Sequence, residues 1–145
     1  MLVKIKRISD LVPIPEYQSK GASGFDFHAY MTIPVILEPR DIGIIPTGLY
    51  FEIPKGYELQ VRSRSGLAAD WGIMVLNSPG TVDSDYRGEV KIILINLGEN
   101  KIKIEPGDRI AQGVISKVHI ADFTEVDFLD NTVRGTSGFG STGRN

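Results

Sequence analysis

Apolar and polar residues alternate along most of this chain with a period of two. Phe25, Phe27 and Ala29; Leu49, Phe51 and Ile53; Tyr57, Leu59 and Val61; and Ile102 and Ile104 each put an apolar face on an extended backbone. Successive side chains of a strand point to opposite sides, so this period predicts half-buried strands. Helical periodicity is nearly absent. One short helix is predicted around Gly66 to Trp71, where Leu67-Ala68-Ala69 are good helix formers. Ile73-Met74-Val75-Leu76 and Val90 to Ile95 are almost continuously apolar. They predict strands covered on both faces, with a subunit interface as one possible cover. Prolines and glycines punctuate the runs at Pro13, Pro15, Pro34, Pro39, Pro46, Pro54-Lys55-Gly56, Pro79-Gly80 and Pro106-Gly107. Many short strands joined by tight turns predict an all-β fold, as a sandwich, jelly roll or barrel.

Composition narrows the picture. With 145 residues, 41% of them hydrophobic, one compact domain is expected. A formal net charge of -2 argues against a non-specific nucleic-acid binder, so any phosphate binding must be local. The absence of cysteine excludes a disulfide framework, a Cys-ligated metal and thiol catalysis. The start, Met1-Leu2-Val3-Lys4-Ile5-Lys6, alternates apolar and basic residues and reads as neither a signal peptide nor a membrane span. A soluble, cytosolic protein is expected. Residues 131–145 stand apart, with four glycines, two arginines and several hydroxyls around one aromatic, Phe139. Such a segment cannot build a core. The expected division is therefore a domain over 1–130 and a flexible Gly-rich arm over 131–145. On composition alone the plainer reading of the arm is a frayed tail, although a purposeless tail has little use for a lone Phe.

Three clusters carry candidate chemistry. Gly138-Phe139-Gly140-Ser141-Thr142-Gly143 spells the glycine spacing of a P-loop, but Arg144-Asn145 follow in place of Lys-Ser/Thr, so that reading is rejected. What survives is a run of bare backbone N–H groups and hydroxyls close to Arg134, suited to wrapping an oligophosphate. Arg62-Ser63-Arg64-Ser65-Gly66-Leu67 gathers two arginines and two serines between a predicted strand and the helix. An ordinary Ser N-cap with solvated arginines explains it equally well. In Asn77 to Glu89, Asn-Ser-Pro-Gly predicts a hairpin tip with exposed amides. Asp83 and Asp85 read there as paired carboxylates, a metal site or turn-stabilising residues, and turn stabilisation is the commonest use of Asp in such loops. His28 and His119 are isolated and read as structural or surface residues.

Taken in order, these segments resemble the five motifs of the trimeric dUTPase family over nearly the whole chain. They are Ala22-Ser23-Gly24-Phe25-Asp26; Arg64-Ser65-Gly66-Leu67-Ala68; Gly80 to Glu89; Gly107-Asp108-Arg109-Ile110-Ala111-Gln112; and Arg134 to Gly143. Ser23, Phe27, Ser63 and Ser137 depart from the commoner pattern, Ser63 standing where a Pro often precedes the arginine. The resemblance implies a jelly-roll homotrimer whose three sites hydrolyse dUTP to dUMP and diphosphate, limiting uracil in DNA and supplying dUMP. One chain would give the hairpin, a second the first, second and fourth motifs, and a third the arm. Asp83 would be the general base for the attacking water. Asn77 and the backbone of Gly80, Thr81 and Val82 would read uracil, and Tyr86 would lie under the deoxyribose and exclude a 2′-hydroxyl. Arg64, Ser65 and Gly66 would hold the α- and β-phosphates or the subunit contacts behind them, Gln112 would reach the outer phosphates, and Lys91 would touch the substrate. From the arm, Phe139 would stack on the base while Arg134, Gly140, Ser141 and Thr142 bind the outer phosphates. Mg²⁺ would ride on the triphosphate with no direct protein ligand, and Asp26 would meet its water shell. The rival readings are a dCTP deaminase or bifunctional deaminase–dUTPase, separable by ammonia release, and a catalytically idle β-sandwich that binds nucleotides or protein partners, favoured if Asp83 or the arm were missing.

Overall fold

A computed structural model describes residues 1–138. Ten strands and one helix follow in order: β1 Lys4–Arg7, β2 Phe25–His28, β3 Val35–Leu37, β4 Ile42–Glu52, β5 Tyr57–Arg62, α1 Ser65–Trp71, β6 Ile73–Val75, β7 Gly80–Val82, β8 Glu89–Asn96, β9 Ile102–Ile104 and β10 Arg109–Lys117. Two four-stranded sheets, β1-β4-β8-β6 and β2-β10-β5-β7, lie face to face, with a small β3-β9 ribbon beside them. All strand pairs are antiparallel. This is the jelly-roll-like sandwich that the period-two pattern predicts, closed by burying one face of each sheet.

The core is the buried half of each alternation. β8 buries Val90, Ile92, Leu94 and Asn96, while β5 buries Leu59 and Val61. Phe25 and Phe27 of one sheet meet Phe51 of the other, with ring centroids 6.2 and 6.0 Å apart. Asn96 is fully buried yet satisfied, its amide donating to the Leu37 and Asn100 carbonyls. β4 carries Pro46 without harm because its pairing with β8 shifts register between Pro46 and Tyr50. Gly48 sits in that bulge at φ 68°, where a Cβ would come within 2.7 Å of Val12.

The continuously apolar runs are covered on one side only within the chain. Ile73 and Val75 are buried while Leu76 is exposed, and Ile93 and Ile95 are half-buried opposite the exposed Ile44 and Ile42. The outer face of this sheet therefore presents an apolar surface that, among the described residues, no element covers. The helix starts one residue earlier than expected. Its N-cap is Arg64, with no side-chain cap bond, so the Ser-cap explanation of that cluster does not hold. It ends on Gly72 in the left-handed region, where a Cβ would meet the Gly98 backbone nitrogen at 2.5 Å. Regular structure stops at Lys117, and residues 118–138 form neither helix nor strand. Among the described residues no helix is long and apolar enough to cross a membrane.

Candidate active site

The turn between β6 and β7 builds the first half of the site. It passes through a cis Ser78–Pro79 peptide into Gly80. Gly80 is buried, and a Cβ there would stand 3.1 Å from the Asn77 amide nitrogen and 3.4 Å from Val61, so glycine lets the Asn77 amide lie close to the strand. Beyond Val82 the Asp83 carbonyl accepts the Tyr86 N–H at 3.1 Å, closing a turn that leaves Asp83 exposed. Arg87 donates to the Ser84 and Tyr86 carbonyls at 2.8 and 2.9 Å and stiffens that turn. The Tyr86 hydroxyl donates to the Glu89 carbonyl at 3.1 Å, and the ring occupies the space that a Cβ on Gly88 would need. Tyr86 is thus held in place at the surface, about half exposed. Thr81, Val82, Asp83, Tyr86 and Lys91 line one cavity of about 270 Å³. Sequence reasoning named all five.

Asp83 differs from the turn-building aspartates. Asp41 and Asp108 accept the backbone N–H of Glu38 and Glu105 at 3.0 and 2.7 Å, as turn-stabilising residues do. Among the described residues neither Asp83 nor Asp85 makes such a bond or an ion pair, and His, Asp and Glu form no group of metal-holding size. The Asp83 carboxylate is available to accept a proton from a water that the cavity admits.

The second half forms where β2, β10 and the end of β5 meet. Asp26, 6% exposed, sits opposite Gln112, which in turn sits opposite Arg62. Arg64 reaches back from the helix entry to place Nε 3.1 Å from Asp26 Oδ1, while Arg109 Nη1 lies 3.3 Å from Oδ2. Arg64 also donates to the Arg109 carbonyl at 2.9 Å. The first, second and fourth motifs are thereby joined by one buried carboxylate. Beside them Arg64, Arg109, Lys101, Lys103 and Trp71 line a cavity of about 470 Å³. Sequence reasoning missed Lys101, Lys103 and a role for Arg109. The alternation Lys101-Ile102-Lys103 was a readable signal, since it puts both lysines on the solvent side of β9.

One chain does not bring the two halves together. Val82 pairs with Leu59, so Asp83 lies beyond that point, whereas Arg64 follows the other end of β5. From Leu59 to Arg64 is five residues, about 17 Å at roughly 3.3 Å per extended residue. The cavity holding Asp83 and the cavity holding Arg64 share no residue. Of the arm, Arg134 is exposed and donates to the Ser137 carbonyl at 2.9 Å. Phe139, Gly140, Ser141 and Thr142 lie outside the described residues.

Comparison with known proteins identifies the family. The family model described as dUTPase matches residues 10–143. The chain is 52% identical over 143 residues to the deoxyuridine 5'-triphosphate nucleotidohydrolase of Helicobacter pylori, covering 99% of this chain and 97% of that protein. It is 54% identical over 145 residues to the protein of the same name from Bdellovibrio bacteriovorus, with 99% and 97% covered. Among solved structures it resembles the Staphylococcus bacteriophage 80alpha dUTPase with dUPNHPP, at TM-score 0.87 and 26% identity, covering 98% of each chain. The motifs, the sandwich and these likenesses converge: the chain belongs to the dUTPase family.

Proposed function

We propose that this chain hydrolyses dUTP to dUMP and diphosphate in the cytosol, by attack of water on the α-phosphorus, in sites shared between the chains of a homotrimer. One observation carries the reading. Among the described residues, the Asp83 carboxylate, with no hydrogen-bond or ion-pair partner, and a cluster of arginine and lysine side chains around Arg64 stand toward opposite ends of β5. A second copy placing its Arg64 cluster over the first copy's hairpin completes the site. The uncovered apolar face of β4, β8 and β6 supplies a surface on which copies associate.

In such a site Asp83 orients the water and takes its proton. Asn77 and the backbone of Gly80 to Val82 pair with the uracil edge. Cytosine exchanges a donor for an acceptor there and leaves buried groups unpaired. Tyr86, held by Glu89 and the missing Cβ of Gly88, offers a flat floor to a deoxyribose and no room for a 2′-hydroxyl. Lys91 borders the same cavity, with its ammonium 3.8 Å from Glu89. From the second copy Arg64, Ser65, Gly66 and Gln112 hold the phosphates, and the arm of the third, residues 131–145, closes with Phe139 on the base and Arg134, Gly140, Ser141 and Thr142 on the outer phosphates. Closure excludes water and fixes the in-line geometry. Among the described residues no group of carboxylates and imidazoles could hold a metal, so Mg²⁺ would come bound to the triphosphate as part of the substrate and would supply charge neutralisation there. Each Asp26 oxygen accepts one arginine and keeps a further lone pair, so contact with that ion's water shell is compatible with the clamp.

Pyrophosphate release from dUTP beside dCTP, dTTP and UTP tests the proposal. Release from dUTP alone is expected. Ammonia release from dCTP, or no turnover of any of the four, would overturn it.

A further inference from the structure

Ser63 lies between β5 and Arg64 and belongs to neither half of the site, yet it is bonded to the base-reading turn from both of its polar groups. Its hydroxyl accepts the Val75 N–H at 2.9 Å, and its own N–H donates to the Ser78 hydroxyl at 3.3 Å. Val75 and Ser78 flank Asn77 in the chain, and Ser78 N–H bonds back to the Val75 carbonyl at 3.3 Å. On its far side the turn is held by the short ladder from Gly80 opposite Val61 to Val82 opposite Leu59. Its near side is held by the pairing of β6 with β8 and by the Leu76 N–H, which bonds the Ile93 carbonyl at 2.8 Å. The two bonds of Ser63 add a third attachment, to the segment that leads into Arg64. Val75 is fully buried, so its N–H has no water to turn to if the hydroxyl is removed.

We infer that Ser63 is a positioning residue for base recognition, holding the Val75–Ser78 turn so that the Asn77 amide and the Gly80–Val82 backbone stand where a pyrimidine edge can pair with them. The inference rests on the dUTP reading and adds to it a determinant of specificity outside the contact residues. It also identifies a physical link. The turn that reads the base is bonded to the residue immediately before Arg64, so one short segment sets both the hairpin and the entry of the phosphate-binding arginine.

The test compares Ser63→Ala, which deletes the hydroxyl, Ser63→Pro, which deletes hydroxyl and N–H together, and Ser63→Thr, which keeps both. For each, kcat and KM are measured with dUTP and dCTP, beside the melting temperature and the amide exchange rates of Val75 and Thr81 in the nucleotide-free protein. Losing one buried bond should raise KM for dUTP about five- to tenfold in Ser63→Ala. The preference for dUTP over dCTP should fall by a similar factor, kcat should stay within about twofold, and Thr should restore both values. Ser63→Pro, which places here the residue that often precedes this arginine in the family, is read by exchange alone. Val75 exchange should quicken in the Ala and Pro variants. A lower melting temperature with unchanged KM and preference would overturn the inference, since Ser63 would then serve stability alone. Unchanged exchange at Val75 would overturn it even if Ser63→Pro failed to fold. A wild-type protein without activity on dUTP would instead refute the activity, while exchange still reports whether Ser63 holds the turn.

Discussion

Two dead chains of this protein should revive each other. Asp83→Asn keeps size and hydrogen bonding but removes the base, and turnover should fall about a hundredfold or more while nucleotide still binds. Arg64→Gln removes a cation from the phosphate half. Asp26 keeps its partner Arg109, 3.3 Å away, so the buried carboxylate is not orphaned and the fold should survive. Within one chain the two positions lie toward opposite ends of β5, in cavities that share no lining residue. On the proposed shared site, Asp83 would come from one chain and Arg64 from its neighbour. In a ring of three with both variants present, an intact Asp83 faces an intact Arg64 once, whichever variant is in the majority. At equal random assembly about three-quarters of trimers are mixed and each has one working site of three, so about a quarter of wild-type activity should return. The assay is pyrophosphate release from co-expressed protein, with mass spectrometry to count mixed trimers. Should Arg64→Gln fold poorly, a chain lacking residues 131–145 replaces it under the same arithmetic. Activity no higher than that of the parents, in material proven to contain mixed trimers, would mean that each site is built within one chain.

Deleting residues 131–145 should leave the melting curve nearly unchanged, because residues 131–137 are exposed and add nothing to the core, yet should remove most activity. A truncated protein that unfolds would refute the first half of that expectation, and one that stays fully active the second. Gly113→Ala should be severe: its Cβ would stand 2.5 and 2.6 Å from the Phe25 ring and 2.9 Å from Phe27. Overpacking of that kind costs about 1–3 kcal/mol, read as a fall of several degrees in a thermal melt; an unchanged melt would mean that Phe25 has room to turn aside. Glu52 accepts a 2.8 Å hydrogen bond from Lys4, and this bond first, then the Lys4 charge, holds its pKa below the ordinary carboxylate value. A lowered folded pKa contributes stability above the unfolded value and loses it as pH falls through the folded one. Lys4→Met should move the Glu52 midpoint upward in an NMR titration, with little change in melting because both groups are solvated.

Much of this molecule is legible in its sequence, for a physical reason. Strand periodicity is a local property of extended backbone, so Phe25, Phe27, Leu59 and Val61 declare their buried faces without reference to partners. Turn chemistry is equally local, and Asn77 through Gly80 mark a hairpin tip by composition alone. The hairpin half of the site spans one short stretch of chain, and Thr81, Val82, Asp83, Tyr86 and Lys91 are readable together there. What the sequence left open needed distant segments to meet. Whether Asp83 builds its own turn or stands clear of it depends on where its carboxylate points, and only the folded chain separates it from Asp41 and Asp108. Asp26 looks from the sequence like a residue for the ion's water shell. Its bonds to Arg64 and Arg109 span 38 and 83 residues, and no local pattern encodes them. Ser63 reads as a departure from a family pattern until the fold brings Val75 and Ser78 to it. That Asp83 and Arg64 lie toward opposite ends of β5 follows from the register of β5 against β7, a property of pairing rather than of residue order. Local propensity thus determined the strands and the hairpin cluster, whereas long-range pairing alone placed Asp83 and Arg64 toward opposite ends of β5.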